Sequence, residues 1–378
     1  MMPRRGRAAP RLELPGYVRT RTRLPHKNRE IVDDGTAFFC ATPSGSTMGT
    51  RRLACILAVS VVLGCGPRAD PEAPKPGAAT TTVAPQACGV DGDRCVDDGV
   101  RDLAAKDHEA ASRNFARACE LGVMAGCAYE ATLLVDVPGR EDPARAATLF
   151  QRACDANHAD SCAALGALYR TGLGVELDLD KAIALYQKSC DKNSGRGCSD
   201  LGVAYESGHH VVADPARANQ LYERACKLDD AAGCTNLGFS YANGSGVARD
   251  DDRAAKLYTQ ACDRGDLRGC TKLAVTYLQG VGVPQDSARA VALGEQACAG
   301  DYAEGCVVLG VIYQTAPGIG DFHKAAAVYE KGCTAGEPSG CVNLALLHRD
   351  GTGVAVDLHK AMELLRRACS LGHTSACE

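Results

Sequence analysis

The chain has 378 residues, 46% of them hydrophobic and 5% aromatic, with no tryptophan and 21 cysteines. So many cysteines, spread so evenly, exclude an ordinary cytosolic enzyme and a single zinc site. The first 64 residues hold 11 of the 42 Lys/Arg and 4 of the 46 Asp/Glu, which leaves residues 65–378 with a formal charge of −11. An acidic body excludes a general binder of the phosphate backbone, so no nucleic-acid partner is expected.

Residues 1–47 carry Arg4, Arg5, Arg7, Arg11 and Arg19 among loose prolines and precede a second methionine, Met48. A secretory signal does not ordinarily lie behind so long a polar stretch. Translation is therefore expected to start at Met48, with residues 1–47 as an upstream extension. Residues 48–64 then read as the signal: Arg51-Arg52, an apolar run from Leu53 to Leu63, and Gly64. The run is too short to stay in a bilayer as a spanning helix. Val62-Leu63-Gly64-Cys65 resembles a bacterial lipobox, and that resemblance implies a lipid on Cys65 as the only tie to a membrane. Cys40 and Cys55 fall before the cleavage site and need no partner.

From Cys65 to Ala87 the chain is Pro, Ala and Thr, with Pro67, Pro71, Pro74, Pro76 and Pro85. Such a segment buries little apolar surface and serves as a tether. In polyproline form it reaches on the order of 65–70 Å.

Residues 88–378 are one repeat. The cysteines pair at a spacing of eight as Cys119/Cys127, Cys154/Cys162, Cys190/Cys198, Cys226/Cys234, Cys262/Cys270, Cys298/Cys306, Cys333/Cys341 and Cys369/Cys377, and first members recur every 35 or 36 residues. That period marks a helical solenoid. A first helix is expected to begin at the second cysteine of each pair: Cys162, Leu165, Gly166 and Tyr169 make one helical stripe, and Leu201-Gly202-Tyr205, Leu237-Gly238-Tyr241 and Leu309-Gly310-Tyr313 repeat it. A glycine turn follows, as in Gly172-Leu173-Gly174-Val175.

A second helix opens on an aspartate twelve positions before the next cysteine: Asp107, Asp142, Asp178, Asp214, Asp250, Asp286, Asp321 and Asp357. Pro143 and Pro215 in the following slot identify these acids as N-caps and not as catalytic groups. An alanine stands four places on in every unit, and Phe150, Tyr186, Tyr222, Tyr258 and Tyr329 fill a later core position.

Cys-x7-Cys joins the end of one helix to the start of the next, antiparallel one, and sets two sulfurs across a short turn. Zinc sites want closer pairs grouped with histidine, so eight structural disulfides are expected and no metal. Cys88/Cys95, at a spacing of seven, is read as a ninth bridge at the N-terminal end.

The layout resembles the SEL-like subclass of tetratricopeptide repeats, and more closely the secreted Helicobacter cysteine-rich proteins, because Leu-Gly-x-x-Tyr, Gly-x-Gly-Val, Lys-Ala and Cys-x7-Cys recur together over residues 88–378. The resemblance implies an all-α, right-handed α/α superhelical solenoid of about eight stapled helix pairs, serving as a protein-binding scaffold without a cofactor. Some members of that family carry the label β-lactamase, so weak β-lactam binding or hydrolysis is the alternative expectation. The sequence offers little for it. The one Ser-x-x-Lys, Ser189 to Lys192, overlaps a cysteine pair and has no Lys-Thr-Gly to go with it. His209-His210, the only adjacent histidines, sit in a turn.

Tetratricopeptide repeats turn the residue after the small position of the first helix toward a concave groove. Carried onto this sequence, that row is Thr132, Ala167, Val203, Phe239, Val275, Val311 and Leu346, apolar from Val203 onward. A protein or peptide ligand is expected there, deepest between Phe239 and Leu346, with Ala128, Ala163, Ser199, Thr235, Thr271, Val307 and Val342 alongside. Both ends depart from the pattern. Asp98 and Asp102 replace the Leu and Tyr of the first stripe and make a polar cap, and Glu130 replaces the second Leu. After Cys377 no helix covers the last unit, which makes the C-terminal end an expected surface for self-association.

Overall fold

Eight aspartates in register lay down eight helix starts. In the computed structural model, which describes residues 88–208 and 210–377, each of them accepts a hydrogen bond from the backbone N–H three residues on, as Asp178 does from Lys181 and Asp250 from Arg253. The upstream segment, the signal, the tether and Cys65 lie outside the described residues.

The described residues fold into sixteen α-helices of thirteen residues each. In chain order they are α1 (Gly92–Ala104), α2 (His108–Glu120), α3 (Met124–Asp136), α4 (Pro143–Asp155), α5 (Ala159–Thr171), α6 (Leu179–Asp191), α7 (Gly195–Ser207) and α8 (Pro215–Lys227). They continue as α9 (Ala231–Asn243), α10 (Asp251–Asp263), α11 (Leu267–Gln279), α12 (Ser287–Ala299), α13 (Ala303–Thr315), α14 (Phe322–Thr334), α15 (Pro338–Asp350) and α16 (Leu358–Ser370). A single 3₁₀ turn, Thr374–Ala376, follows. Consecutive helices pack on one another throughout, and odd-numbered helices also touch one another across a unit, α5 on α7, α7 on α9 and α11 on α13. An α/α solenoid results, with the odd helices along the inside of the curve and the even ones outside.

The first helix of a unit starts three residues earlier than the second cysteine. Ser194, Asp230 and Asp266 cap it from four places before the cysteine, which brings the extra turn into the helix. Room for that turn comes from the residue just ahead of the cysteine: a Cβ on Gly233 would stand 2.5 Å from Ala225 Cβ, and one on Gly269 would stand 2.6 Å from Ala261 Cβ.

The small residue of the stripe seats the ring of the second helix in the same unit. A Cβ at Gly166 would lie 2.7 Å from Tyr186, at Gly202 2.5 Å from Tyr222, and at Gly238 2.8 Å from Tyr258. Where the ring is missing, at Gly294, Ala274 is the facing small residue and Leu309 of the next unit comes in close. The glycine turns have their own partner. A Cβ on Gly246 would meet the backbone of Pro215, so each turn lies over the start of the preceding unit's second helix.

Two repeat lengths follow from how the inner helix ends. α5, α7, α9, α11 and α15 close on a glycine in the left-handed region, Gly172 at φ 68° for example. α3 and α13 end instead on extended Val137 and Ala316 with one residue fewer in the turn, which produces the 35-residue spacings.

The structure closes nine disulfides: Cys88–Cys95, Cys119–Cys127, Cys154–Cys162, Cys190–Cys198, Cys226–Cys234, Cys262–Cys270, Cys298–Cys306, Cys333–Cys341 and Cys369–Cys377. Their Cα–Cα separations run from 4.4 to 4.9 Å, inside the range a disulfide spans. Seven of them tie the end of one unit to the start of the next, Cys88–Cys95 fastens the segment ahead of α1, and Cys369–Cys377 fastens the turn after α16.

Candidate functional site

The inner face is built from positions that point away from both flanking outer helices. On α7 these are Arg196, Asp200 and Val203; on α9, Asn236 and Phe239; on α11, Arg268, Lys272 and Val275; on α13, Glu304. Val203 and Phe239 are each 42% exposed, stand at the same register one unit apart, and are the open apolar positions of this face.

The expected apolar strip does not continue as drawn. Val311 is buried, 3% exposed, inside the large C-terminal core cluster, and Val275 and Leu346 from α11 and α15 pack half-buried against that cluster. Val311 is therefore no groove residue, and the face is most open at Val203 and Phe239, not deepest toward Leu346. The physical cause is the composition of α13, where Val307, Val308, Val311 and Ile312 are apolar almost all round and join the cluster that Val275 of α11 and Leu346 of α15 pack against. The row expected alongside is also buried. Ala163, Ser199, Thr235, Thr271, Val307 and Val342 sit between units, with only Ala128 half-open.

Two of those buried hydroxyls clamp one unit to the next. Thr235 donates to Asp266, the N-cap of α11, at 2.6 Å, and Ser199 donates to Asp230, the N-cap of α9. Ser194 makes the reverse link, donating to Asp160 at 2.6 Å while it caps its own helix. Spacing alone did not reveal these clamps; the signal was a Ser/Thr run beside the groove row, followed in the next unit by a capping acid.

Charged groups surround the two open apolar residues. Asp200 lies one turn before Val203, with Arg196 Nε 3.9 Å from its carboxylate. Its side chain is 17% exposed, and Oδ2 has no hydrogen-bond partner. Burial pushes the Asp200 carboxyl up to about 6, against the opposing pull of Arg196 and Arg170. The outer-helix tyrosines reach through to this side: Tyr222 donates to Glu206 at 2.7 Å and Tyr329 to Gln314 at 2.5 Å. Farther along, Lys272 pairs with Glu304 at 3.0 Å, and Tyr302 donates to the other Glu304 oxygen at 2.6 Å.

At the other edge, the stripe tyrosines take a cation from the next helix over their rings. Lys181 stands 4.0 Å above Tyr169, Arg217 4.2 Å above Tyr205 and Arg253 4.5 Å above Tyr241. These rings are half-buried packing elements, each shielded by its unit's own side chain.

The N-terminal unit is closed by charge. Asp98 pairs with Arg94 and Arg101, and Asn114 donates to Asp102 at 2.7 Å. Glu130 is buried in its leucine position, 2% exposed, with Arg145 at 3.8 Å. In the last unit Leu358 is 60% exposed and Met362 49%, whereas Ala255 and Ala326, which stand at the position of Met362 in earlier units, are buried.

No hydrolytic constellation forms around the Ser-x-x-Lys. Ser189 is fully buried, donates to Ala159 O at 2.8 Å, and lies under Gly197. His209 lies outside the described residues; His210 stands 3.3 Å from Asp180 on an exposed turn. Among the described residues, no three His, Cys, Asp or Glu side chains gather in a way that could hold a metal, and no helix is long and apolar enough to cross a membrane.

The Sel1 repeat model matches residues 135–158, 159–194, 195–230, 231–266, 267–302 and 338–373, more than half of the chain. The chain belongs to the Sel1 repeat family. Sel1 repeat proteins are mostly non-catalytic scaffolds that act through contacts with other proteins. Among solved Sel1 structures, one from Oxalobacter formigenes is 26% identical with a TM-score of 0.56, over 64% of this chain and 99% of that one. The protective antigen c5321 of uropathogenic Escherichia coli is also 26% identical, TM-score 0.53, over 76% of this chain. The chain spans 63% of the length of that antigen structure. Helicobacter pylori cysteine rich protein B is 30% identical over 36% of this chain and all of its own, TM-score 0.30. No curated protein matches the chain. For this Sel1 protein, nine bridges mark an oxidising compartment, extracellular or periplasmic.

Proposed function

We propose that this chain is an exported, lipid-anchored scaffold that holds a protein or peptide segment against its inner face at the cell envelope. The signal at residues 48–64, the lipobox ending in Cys65 and the Pro/Ala/Thr tether to residue 87 support the export and anchoring. One observation carries the binding reading. Val203 and Phe239 stay 42% exposed at the same register of adjacent inner helices, with the charged Arg196 and Asp200 beside them. Exposed apolar side chains set among polar groups are the usual make-up of a recognition patch. Side chains of an extended segment would rest on the two apolar residues while its polar groups meet the flanking charges.

The test places a photo-crosslinking residue at position 239 on the inner face or at Glu223 on the outer helix α8, in cells that make the full chain. Adducts that form from 239, not from 223, and that disappear in Val203→Asp support the reading. Equal adduct patterns from the two positions, or Phe239→Asp with unchanged helicity and unchanged capture, refute it. Cys65→Ser is expected to release the protein from the membrane fraction.

A further inference from the structure

Nine similar bridges differ in what surrounds their sulfurs, and one of them has a guanidinium nitrogen 2.8 Å from a sulfur. Arg264, the residue that caps the C-terminal end of α10, reaches back one unit to the Cys226–Cys234 bridge. Its Nη1 donates to Cys234 Sγ at 2.8 Å and to Cys226 O at 3.0 Å, and stands 3.6 Å from Cys226 Sγ. The other guanidinium nitrogen pairs with Asp229 at 2.9 Å, which holds the group in place over the turn. The position is unique in the repeat. Other units carry Leu121, Ala156, Leu228, Gly300, Ala335 or Leu371 there, and one carries Lys192. The nearest parallel, Arg152, remains 3.7 Å from Cys119 Sγ.

A disulfide opens when a thiolate attacks one sulfur and the other leaves as a thiolate. The step is faster, and the reduced form more stable, when the leaving thiolate is held at low pKa by a neighbouring cation. We propose that Cys226–Cys234 is a thiol-exchange site of this solenoid, opened by a dithiol reductant. The incoming thiolate attacks Cys226 Sγ, which belongs to the less buried residue of the pair (6% exposed against 0% for Cys234), and forms a mixed disulfide. The sulfur–sulfur bond breaks, and Cys234 leaves as a thiolate against Arg264. The second thiol of the reductant, deprotonated, then attacks its own bridged sulfur. That releases Cys226 as a thiolate and leaves the reductant as its cyclic disulfide; two electrons have passed to the protein bridge. Opening it frees the turn between α8 and α9, the helix that carries Phe239.

The chain supplies its own control. Cys262–Cys270 joins the same two kinds of helix with the same exposures, 6% and 0%, and has no cation hydrogen-bonded to either sulfur among the described contacts. The experiment treats the folded, oxidised full chain with limiting dithiothreitol, traps free thiols with an isotope-coded alkylating reagent, and reads each cysteine by mass spectrometry. Cys226 and Cys234 are expected to label about tenfold faster than Cys262 and Cys270, because the cation beside the leaving thiolate favours its departure. In Arg264→Gln that advantage is expected to vanish, with the Cys262–Cys270 rate unchanged. A variant that merely loosened the fold would speed labelling, so the direction separates the two effects. Equal rates for the two bridges in the parent chain, or an undiminished Cys226–Cys234 rate in Arg264→Gln, would overturn the proposal.

Discussion

Asp200 shows how one side chain can be tuned by its place on the inner face. Ionised, it must keep a charge in a site where one oxygen finds no hydrogen-bond donor and Arg196 comes no closer than 3.9 Å. Its folded pKa of about 6 lies above the ordinary aspartate value, so between about pH 4 and 6 the native chain binds more protons at this site than the unfolded chain does. Stability from this group is therefore full at low pH and is lost as pH rises through 6. Asp200→Asn removes the penalty. At pH 7.5 the variant is expected to be more stable than the parent by about 2–3 kcal/mol, and at pH 4 nearly equal to it, in paired denaturant titrations at each pH. The capping aspartates run the other way: Asp321 and Asp357 are held below the usual carboxylate range chiefly by the backbone N–H groups they accept from, so acid weakens those caps. Comparison of parent with variant isolates Asp200 from them.

Two helices of one unit meet through a glycine and a ring, and the pairing explains why the small residue of the stripe is small. At Gly202 a Cβ would lie 2.5 Å from Tyr222 Cε1, and the ring cannot retreat because it is itself fully buried, with its hydroxyl bound to Glu206. Gly202→Ala is expected to cost about 1–3 kcal/mol despite the better helix propensity of alanine, with faster hydrogen exchange confined to α7, α8 and the units beside them. An unchanged denaturation midpoint would show that the ring does yield. The same pairing was half-legible beforehand. A recurring Leu-Gly-x-x-Tyr announces a helix with a close neighbour, but which side chain enters the gap depends on the angle between two helices, which no spacing records.

Across the whole solenoid, contacts run mainly between adjacent units, and the bridges repeat that locality. Each closes a loop of eight or so residues and contributes about 2.5 kcal/mol by the chain-entropy account. In such an array the loss spreads from the ends, since the terminal units have one neighbour fewer. Complete reduction and alkylation is therefore expected to lower the thermal midpoint seen by helical circular dichroism and to broaden the transition, as the units cease to unfold together. A transition that stays equally sharp at the same midpoint would mean that packing alone carries the array.

The sequence by itself determined the number of units, the starts of the second helices and the cysteine partners, because each rests on groups within a dozen residues of one another: an acid and three free N–H groups, a glycine and a turn, two sulfurs across a bend. Buried Glu130 and the polar cap at Asp98 and Asp102 were legible for the same reason, as departures from a local pattern. Tertiary structure alone decided which surface stays open. Val203, Phe239 and Val311 occupy one register and are all apolar, yet the first two face solvent and the third is sealed in the core. The difference is set by the neighbouring side chains: Val275 of α11 and Leu346 of α15 pack against the core cluster that holds Val311. Arg264 reached the neighbouring unit's sulfurs in the same way, by the stacking of units thirty residues apart in the chain.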